Sequence, residues 1–572
     1  MLKCINANSS EFIVILDPHW RGHLSELREL DIQDRLVCPS CHQPVRTRAG
    51  KIKRWHFAHK HLQNCPFQNE SLLLLQTRAC ARKGCQKRGA SGRIGVSDNQ
   101  STRRLQMDYN TEVINNAATQ IAEMFKNIVI SQQQGGQGVS TIAQIEICMR
   151  EALRQIGIQA LGQFLSSMQT TPASEIVCGC GGRLQYQRMR EARIISVFGK
   201  TSYTRAYYAG CSCQKGKAPL DRQFGLEPGA VTAGLAQLLA LAGIEFSYDQ
   251  SPKWLQAYLL FDVSENTVRS ETEQMGAMQE KQEEALIQRS QNETYLQERE
   301  RITGQVVGRL YGSIDAAKVR IEPRPKRGQA PEEHEDWRDM KVLCWFETDS
   351  VPPAQRSTRQ RKQAEHQQVT LRAKNLRYFC DIAEADDFGK LLWATGCSLK
   401  ADLSPELIFL GDGAVWIWNL VARYYPNATQ IVDWYHAEEH LEIVANAAFA
   451  QGPDRTNWLE GVKQALWEGQ VEAVICACQA LAASCDLARK ATHYFYSHAE
   501  RMRYDRFRAA GFMIGSGTVE SGCKQIVTHR LKLPGAQWTV PGAVQTAKAR
   551  AAWLSGHWQP LCDQRSALPL AI

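Results

Sequence analysis

The sequence predicts a multidomain α/β protein. Its 572 residues exceed the size of one ordinary domain, so we expect three to four folding units. From residue 305 onward, short apolar runs typical of strands alternate with helical patterns, as in α/β folds. Two clusters of closely spaced cysteines lie upstream of this region. They predict smaller units, each stabilised by a metal ion.

Composition and charge narrow the class of protein. Hydrophobic residues make up 44% of the chain, which argues against a largely disordered protein. The net charge of +9 suits a nucleic-acid partner. Residues 1–10 carry no secretory pattern, and the apolar stretch 230–246 is too short and too interrupted to span a membrane. We therefore expect a cytoplasmic, nucleoid-associated protein of a prokaryote, with reduced cysteines and no membrane partner.

The N-terminal unit, residues 1–77, contains the first metal-binding pattern. Cysteines two residues apart followed by His and a third Cys are typical of tetrahedral zinc sites. The expected ligands are Cys38, Cys41, His59 and Cys65. His56 is the alternative nitrogen ligand. The CPSC pair and the later HFAH segment resemble the N-terminal zinc-finger-like part of CoiA-type competence proteins, which implies a role near DNA.

Residues 78–110 form a basic, Gly- and Ser-containing stretch that predicts a flexible linker. Residues 111–170 show a helical pattern interrupted by the Gln/Gly-rich stretch 131–138.

Residues 171–222 carry the second metal-binding pattern. Two C-x-C pairs are separated by alternating sequence that predicts a β-hairpin turning at Gly199 and Lys200, which together describe a zinc ribbon. The expected zinc ligands are Cys178, Cys180, Cys211 and Cys213. We also expect the hairpin to present basic side chains for phosphate contacts on one surface: Arg190, Arg193, Lys200 and Arg205. A purely structural ribbon is the alternative.

Residues 223–304 are mainly helical in pattern. The segment 252–260 is followed by Ser264, a good N-cap for a helix that begins at Glu265. A short helix, a turn and a capped polar helix are consistent with a helix-turn-helix that binds DNA, although an ordinary helical hairpin explains the pattern equally well.

Three acidic residues of the segment 305–572 have settings that suit catalysis. Asp315 and Asp412 are expected at the ends of apolar strands, and Glu520 at the start of a helix. Carboxylates at neighbouring strand ends can converge and hold divalent cations. A turn at Asp412 and a favourable helix dipole at Glu520 are the ordinary alternatives. Nearby acids compete for the first position: Asp381, Asp386 and Asp387.

Several motifs together resemble the DDE-type insertion-sequence transposases of the Kra group. They are 411–418 (GDGAVWIW), 431–440 (IVDWYHAEEH), 515–520 (GSGTVE), 530–532, 537–538 and 549–550, preceded by the two C-x-C pairs and 219–221 (PLD). The resemblance runs from about residue 178 to residue 558.

This resemblance implies an RNase H-like catalytic core in residues 305–572 with a helical insertion at about 437–508. It implies a triad of Asp315, Asp412 and Glu520 that binds Mg²⁺ or Mn²⁺, with Asp433 and His436 close by. We expect His436 to support the site by orienting a phosphate or a metal-bound water; a buried Asp–His pair that stabilises the turn from strand to helix is the alternative. The expected partner is double-stranded DNA, both element ends and target, bound by a homodimer or larger assembly. The alternatives are a domesticated DNA-binding protein that no longer cuts and an RNase H-like nuclease without joining activity.

Overall fold

The computed structural model describes residues 141–168, 171–214, 216–301, 306–322, 336–351 and 371–567, with short stretches before residue 127. Those stretches are 3–6, 12–14, 29–30, 33, 35–37, 45–48, 56–59, 119, 122–123 and 126. The chain divides into two compact units, Met1–Met107 and Asp108–Ile572.

The first unit contains five short strands among its described residues. They are β1 (Lys3–Asn6), β2 (Phe12–Val14), β3 (Leu36–Val37), β4 (Val45–Arg48) and β5 (His56–His59). The first three form an antiparallel sheet in the order β2-β1-β3, and β4 pairs with β5. The zinc ligands expected at Cys38, Cys41 and Cys65, and the side chains of His56 and His59, lie outside the described residues. So does the predicted linker.

In the second unit, helix α1 (Ile142–Ser167) begins at a capping box formed by Thr141 and Gln144. A three-stranded antiparallel sheet follows, with β6 (Glu175–Val177), β7 (Arg183–Ser196) and β8 (Gly199–Ala209). The predicted hairpin is present, but Ser196 pairs with Gly199, so the turn lies at Val197 and Phe198. Gly199 instead opens β8 with a φ of +117°, a conformation that side chains rarely adopt.

The next region is helical, as predicted. It contains α2 (Pro219–Phe224), α3 (Ala233–Glu245), α4 (Ser251–Leu259), α5 (Glu265–Ser290) and α6 (Glu293–Arg301). The prediction of a cap at Ser264 is confirmed, because its side chain accepts from the Thr267 N–H. However, α5 is 26 residues long and Met275 in its middle is fully buried.

Helix α5 shares a hydrophobic core with α3 and with α16 (Val540–Leu554), through residues that include Ile244, Met275 and Ala549. At Gly276, α5 approaches α16 so closely that an added Cβ would overlap the backbone carbonyl of Gln545. Asn266 in the first turn of α5 is exposed, as are side chains further along the helix such as Gln274 and Lys281. One face of this helix therefore belongs to the core, and a helix-turn-helix role for its N-terminal part stays a prediction.

A five-stranded mixed sheet forms the centre of the unit. Its strands are β9 (Arg309–Ile321), β10 (Asp336–Ser350), β11 (Leu371–Asp381), β12 (Glu406–Gly411) and β13 (Thr429–Val432). Their order is β11-β10-β9-β12-β13. The pairs β11/β10 and β10/β9 are antiparallel, whereas β9/β12 and β12/β13 are parallel. The expectation of a mixed α/β architecture is confirmed.

Helices surround the sheet and follow its last strand. They are α7 (Ala385–Leu399), α8 (Val415–Tyr424), α9 (Trp434–Ala448), α10 (Pro453–Trp467), α11 (Val471–Leu481), α12 (Asp486–His498), α13 (Tyr504–Ala509), α14 (Gly517–Gly522), α15 (His529–Leu531), α16 and α17 (Trp558–Ala567). A π-helical turn, Cys523–Thr528, joins α14 to α15. The segment from α9 to α13 lies between β13 and α14, and we call it the helical block.

The sheet is buried because its central strands carry large apolar side chains. Tyr311, Trp345 and Phe409 lie on β9, β10 and β12 and are inaccessible to solvent. The rings of Trp345 and Phe409 meet edge to face with centroids 5.5 Å apart. Such a rigid core fixes the strand ends in space. Among the described residues, none of the helices combines the length and the apolar character needed to cross a bilayer.

Candidate functional site

Three aspartates from different strands lie at the same level, where the parallel strands β12 and β13 end. In the parallel part of the sheet, Gly411 of β12 pairs with Ile314 of β9 and with Val432 of β13. The next residue on each of these strands is an aspartate: Asp315, Asp412 and Asp433. Because neighbouring parallel strands point the same way, this register places the three aspartates side by side. This edge is the usual place for a site in α/β sheets.

Asp412 lies in the turn between β12 and α8. One of its carboxylate oxygens accepts the backbone N–H of Ala414 at 2.9 Å, and its carbonyl accepts the indole N–H of Trp418 at 2.9 Å. These two bonds hold the turn, as expected from a short Asp-Gly sequence. Among the described residues, no hydrogen-bond donor occupies the other carboxylate oxygen.

Asp315 does not end its strand, contrary to the expectation. β9 continues to Ile321 because β10 remains paired with it, and Asp315 lies opposite Val342. Only the parallel neighbour β12 stops at this level. Burial raises the pKa of the Asp315 carboxyl, and the charge of Asp412 raises it further. Hydrogen bonds from the Ala316 N–H and the Cys523 thiol lower the pKa but do not cancel the rise. A cation placed here would relieve this electrostatic cost.

Asp433 is the N-cap of α9 and is inaccessible to solvent. Its carboxylate accepts the backbone N–H of His436 at 2.9 Å and the backbone N–H of Ser516, which lies in the loop before α14. The backbone N–H of Trp434 also donates to the carbonyl of Ile514 at 3.0 Å. These bonds place the beginning of α14, with Glu520, beside the beginning of α9.

Glu520 and His436 meet at this junction. The Nε2 atom of His436 lies 4.0 Å from Oε1 of Glu520, and Nδ1 lies 3.6 Å from Oε2 of Glu439. One ligand atom each from Asp433, His436 and Glu520 fall within 4.8 Å of one another, close enough to hold a metal ion. The three acids of the predicted triad are not gathered to that distance in the described part of the chain, so their joint role stays a prediction.

The competing acids have other partners. Asp381 ends β11 and its carboxylate lies 2.9 Å from Nζ of Lys548, which also binds Glu283 in a buried ionic cluster. Asp386 pairs with Arg423 at 3.1 Å and Asp387 with Lys390 at 2.7 Å, all on exposed side chains. None of these three acids joins the cluster at the sheet edge.

The helical block contributes side chains that the sequence analysis did not assign. Tyr494 and His498 of α12 reach the Asp412 turn, and the ring of His440 stacks on Tyr494 with centroids 3.9 Å apart. Nε2 of His498 donates to the carbonyl of Gly413 at 3.1 Å. No local motif marks Tyr494 or His498, because only the packing of α12 on the sheet brings them to the turn.

The four cysteines predicted as ribbon ligands form one cluster. The sulfur of Cys178 lies 3.5 Å from that of Cys213, and the sulfur of Cys180 lies 3.3 Å from that of Cys211. All four sulfurs lie within 4.8 Å of one another. Four thiolates at this spacing could hold a structural metal ion such as zinc.

Local backbone geometry favours metal binding by these thiols. The N–H of Cys180 lowers the pKa of Cys178, and the N–H of Cys213 holds the pKa of Cys211 at about 6. Although the N–H of Gly182 lowers the pKa of Cys180, the three other thiols raise it to about 11. An added Cβ at Gly182 would lie 2.7 Å from the sulfur of Cys211, so a glycine is needed for the pairs to meet.

The predicted basic surface of the hairpin is only partly present. Arg205 is buried and its Nε binds the carboxylate of Asp221 at 2.7 Å, because its strand position faces the sheet's covered side. Arg190 shares that side and lies over the ring of Tyr207. Arg193 and Lys200 are exposed on the opposite side. The four basic residues therefore do not form one surface.

Residues 20–68 match the model of the N-terminal domain of the competence protein CoiA. This match includes every residue expected to bind zinc in the first unit. A search of curated proteins finds no matching relative.

Proposed function

We propose that this protein is a DNA transposase of an insertion sequence, similar to the Kra group, that cleaves element ends and joins them to target DNA. The observation that carries the proposal is the set of aspartates at consecutive register positions on β9, β12 and β13, with Glu520 brought beside them by the bonds of Asp433. Carboxylates converging in this way suit metal-dependent phosphodiester chemistry.

The topology supports an RNase H-like core. Three long antiparallel strands, β9 to β11, are followed by two short strands that are parallel to β9. The helical block separates the strand before Asp433 from the helix that carries Glu520. Similar transposases have a helical insertion at this place, which covers the DNA end.

The residues at the sheet edge fit divalent metal ions. Asp315 is half-buried near the carboxylate of Asp412, and its pKa is raised first by the loss of solvent and then by that neighbouring negative charge. Oxygen ligands of this kind prefer Mg²⁺ or Mn²⁺, which Asp315, Asp412 and Glu520 would hold. When bound, such ions activate the attacking hydroxyl and stabilise the leaving oxygen.

The supporting residues position this set. Asp433 accepts hydrogen bonds from the start of α9 and from the loop before α14, and these bonds position Glu520. His436 lies partly exposed between Glu439 and Glu520, where a protonated imidazole would attract a phosphate oxygen and orient Glu520. The cysteine cluster, with zinc bound, would hold the ribbon hairpin rigid, with Arg193 and Lys200 exposed for phosphate contacts.

The remaining units fit the same activity. The CoiA-like unit would bind a second zinc ion through Cys38, Cys41, His59 and Cys65 and act near DNA. The net charge of +9 favours double-stranded DNA as the partner. Pairing of two element ends would require a homodimer or larger assembly.

The test is a cleavage assay on DNA that carries the ends flanking the gene. Purified protein with Mg²⁺ or Mn²⁺ is compared with Glu520→Gln, with Asp412→Ala, and with Asp387→Asn as an acidic control outside the cluster. Nicks at the ends should disappear in the first two variants and persist in the control, while DNA binding stays intact in all. Wild-type nicking by Asp412→Ala would refute the triad.

A second assay separates the proposal from its alternatives. Cleaved ends are offered a target plasmid, and joined products are measured. Cleavage without joining would indicate an RNase H-like nuclease, and tight binding without any nick would indicate a domesticated DNA-binding protein.

A further inference from the structure

The hydroxyl of Tyr494 is a buried polar atom without a hydrogen-bond partner among the residues that the structure describes. Buried polar groups are almost always paired, because an unpaired one loses its bonds to water and gains none in return. An exception therefore requires an explanation. Three observations about the surroundings of Tyr494 point to a ligand.

The first observation is the position of the ring. Tyr494 packs against Gly413, the residue after Asp412, so closely that an added Cβ at Gly413 would overlap Cε2 of the ring. The glycine leaves room for the ring at the sheet edge. Tyr494 thus lies directly against the turn that carries the second predicted metal-binding acid.

The second observation is that two histidine rings contact the ring of Tyr494. The ring of His440 stacks on one face at 3.9 Å, and His498 meets it at 5.2 Å. Nδ1 of His498 accepts from Arg501 at 3.1 Å while Nε2 donates to the Gly413 carbonyl. Burial lowers the pKa of each of the two histidines. The ring contacts hold the hydroxyl of Tyr494 in place, and no described residue forms a hydrogen bond with it.

The third observation is the set of charged groups near the hydroxyl. Tyr494 lies within electrostatic reach of the carboxylates of Asp412 and Asp433. The phenol O–H is a hydrogen-bond donor, and neither carboxylate accepts a hydrogen bond from it in this structure. The hydroxyl is therefore available to an acceptor on a ligand that binds beside Asp412.

We propose that Tyr494 is a further catalytic residue, whose hydroxyl donates a hydrogen bond to a non-bridging oxygen of the DNA phosphate bound beside Asp412. This inference rests on the proposed function. It assigns a direct role to α12 of the helical block, which would contact the reacting strand rather than only cover it. A preorganised donor of this kind stabilises the charge that develops on the phosphate.

The test compares Tyr494→Phe with Tyr496→Phe. The first variant removes only the buried hydroxyl and keeps the ring, and the second removes a hydroxyl from an exposed tyrosine of the same helix. We expect Tyr494→Phe to lower the single-turnover cleavage rate by about 100-fold, as losses of single donors do elsewhere. Tyr496→Phe should cleave like the wild type. Equal rates for wild type and Tyr494→Phe would overturn the inference.

Thermal unfolding of the DNA-free protein gives an independent readout. Removal of a hydroxyl that has no partner should leave the melting temperature of Tyr494→Phe equal to or above that of the wild type. A clear fall would mean that the hydroxyl already has a structural partner, and the inference would fail.

Binding to modified DNA tests the contact without cleavage. A methylphosphonate replaces the scissile phosphate in end DNA, and affinity is measured for both proteins with both DNAs in Ca²⁺. The substitution should weaken wild-type binding several-fold more than it weakens binding of Tyr494→Phe. Identical losses would refute the contact. If wild-type protein never cleaves, the proposed function fails and so does a catalytic role for Tyr494, whereas this comparison still decides whether its hydroxyl contacts the phosphate.

Discussion

The carboxylate of Asp433 accepts a hydrogen bond from the backbone N–H of Ser516 and so joins the start of α9 to the loop that precedes α14. The same carboxylate caps α9 through the N–H of His436. One buried side chain therefore sets the distance between His436 and Glu520. The arrangement of the site depends on this link as much as on the acids themselves.

Replacement of Asp433 by Asn should destabilise the protein. The amide keeps the shape of the side chain but has only one oxygen. One of the two backbone N–H groups, of His436 or Ser516, would then face the amide NH₂ group, which is itself a donor. We expect a loss of about 1–3 kcal/mol in the free energy of unfolding, measured by urea denaturation. Asp386→Asn, at an exposed ion pair, is the control and should change stability by less than about 0.5 kcal/mol. Equal effects of the two substitutions would contradict the assigned bonds.

Gly413→Ala should disturb the contact between the Asp412 turn and α12. The added methyl group would overlap the ring of Tyr494, and overpacking of this kind costs about 1–3 kcal/mol. Gly461→Ala is a matched control on α10, where no atom lies within 4 Å of the added Cβ and Ala favours the helix by about 0.5–1 kcal/mol. Thermal unfolding of both variants measures the contrast. If Gly413→Ala left the melting temperature unchanged, α12 would not be in tight contact with the turn.

Asp315→Asn should stabilise the metal-free protein at neutral pH. The folded-state pKa of Asp315 is raised, so the wild type loses stability as the pH rises through that pKa and the carboxyl ionises in its buried setting. The variant avoids this loss and should be more stable at pH 7 by on the order of 1 kcal/mol. The difference should vanish below the unfolded-state pKa of 3.8, where both states of the wild type are protonated.

Unfolding curves from pH 3.5 to pH 8, recorded with and without Mn²⁺, test this expectation. Mn²⁺ should stabilise the wild type and have little effect on Asp315→Asn. A stability difference that is independent of pH would show that ionisation of Asp315 is not its cause.

Cys211→Ser should remove one zinc ion from the protein. Its sulfur lies among the three other thiols of the ribbon, and three remaining ligands hold zinc poorly. We expect two zinc ions per chain in the wild type and one in the variant, measured by elemental mass spectrometry of purified protein. Cys476→Ser changes an exposed cysteine outside the cluster and should keep both ions. Absence of zinc from the wild type would refute both predicted sites.

Much of the second unit follows from local sequence. The cap at Ser264, the cysteine pairs of the ribbon, the strand before Asp412 and the helix start near Glu520 were all predicted and are present. Each depends on a few neighbouring residues, such as an apolar run, a capping side chain or a glycine. The match of residues 20–68 likewise confirms the resemblance of the first unit to CoiA.

Other features depend on contacts between distant segments, and these were missed or placed wrongly. Arg205 was expected on a surface but is buried, because the face of a strand is decided by what covers it. The pairing of β10 extends β9 past Asp315. Lys548 and Glu283 form a buried ion pair that no local pattern indicates.

The sequence by itself determined several of the strands and helices and the cysteine pairs that could hold a metal ion, because backbone preferences and side-chain periodicity act over a few residues. Tertiary structure alone decided that Asp315, Asp412 and Asp433 share one register line and that Tyr494 reaches the Asp412 turn. Strand register and helix packing are long-range choices, made by the burial of apolar surface and the pairing of buried polar groups.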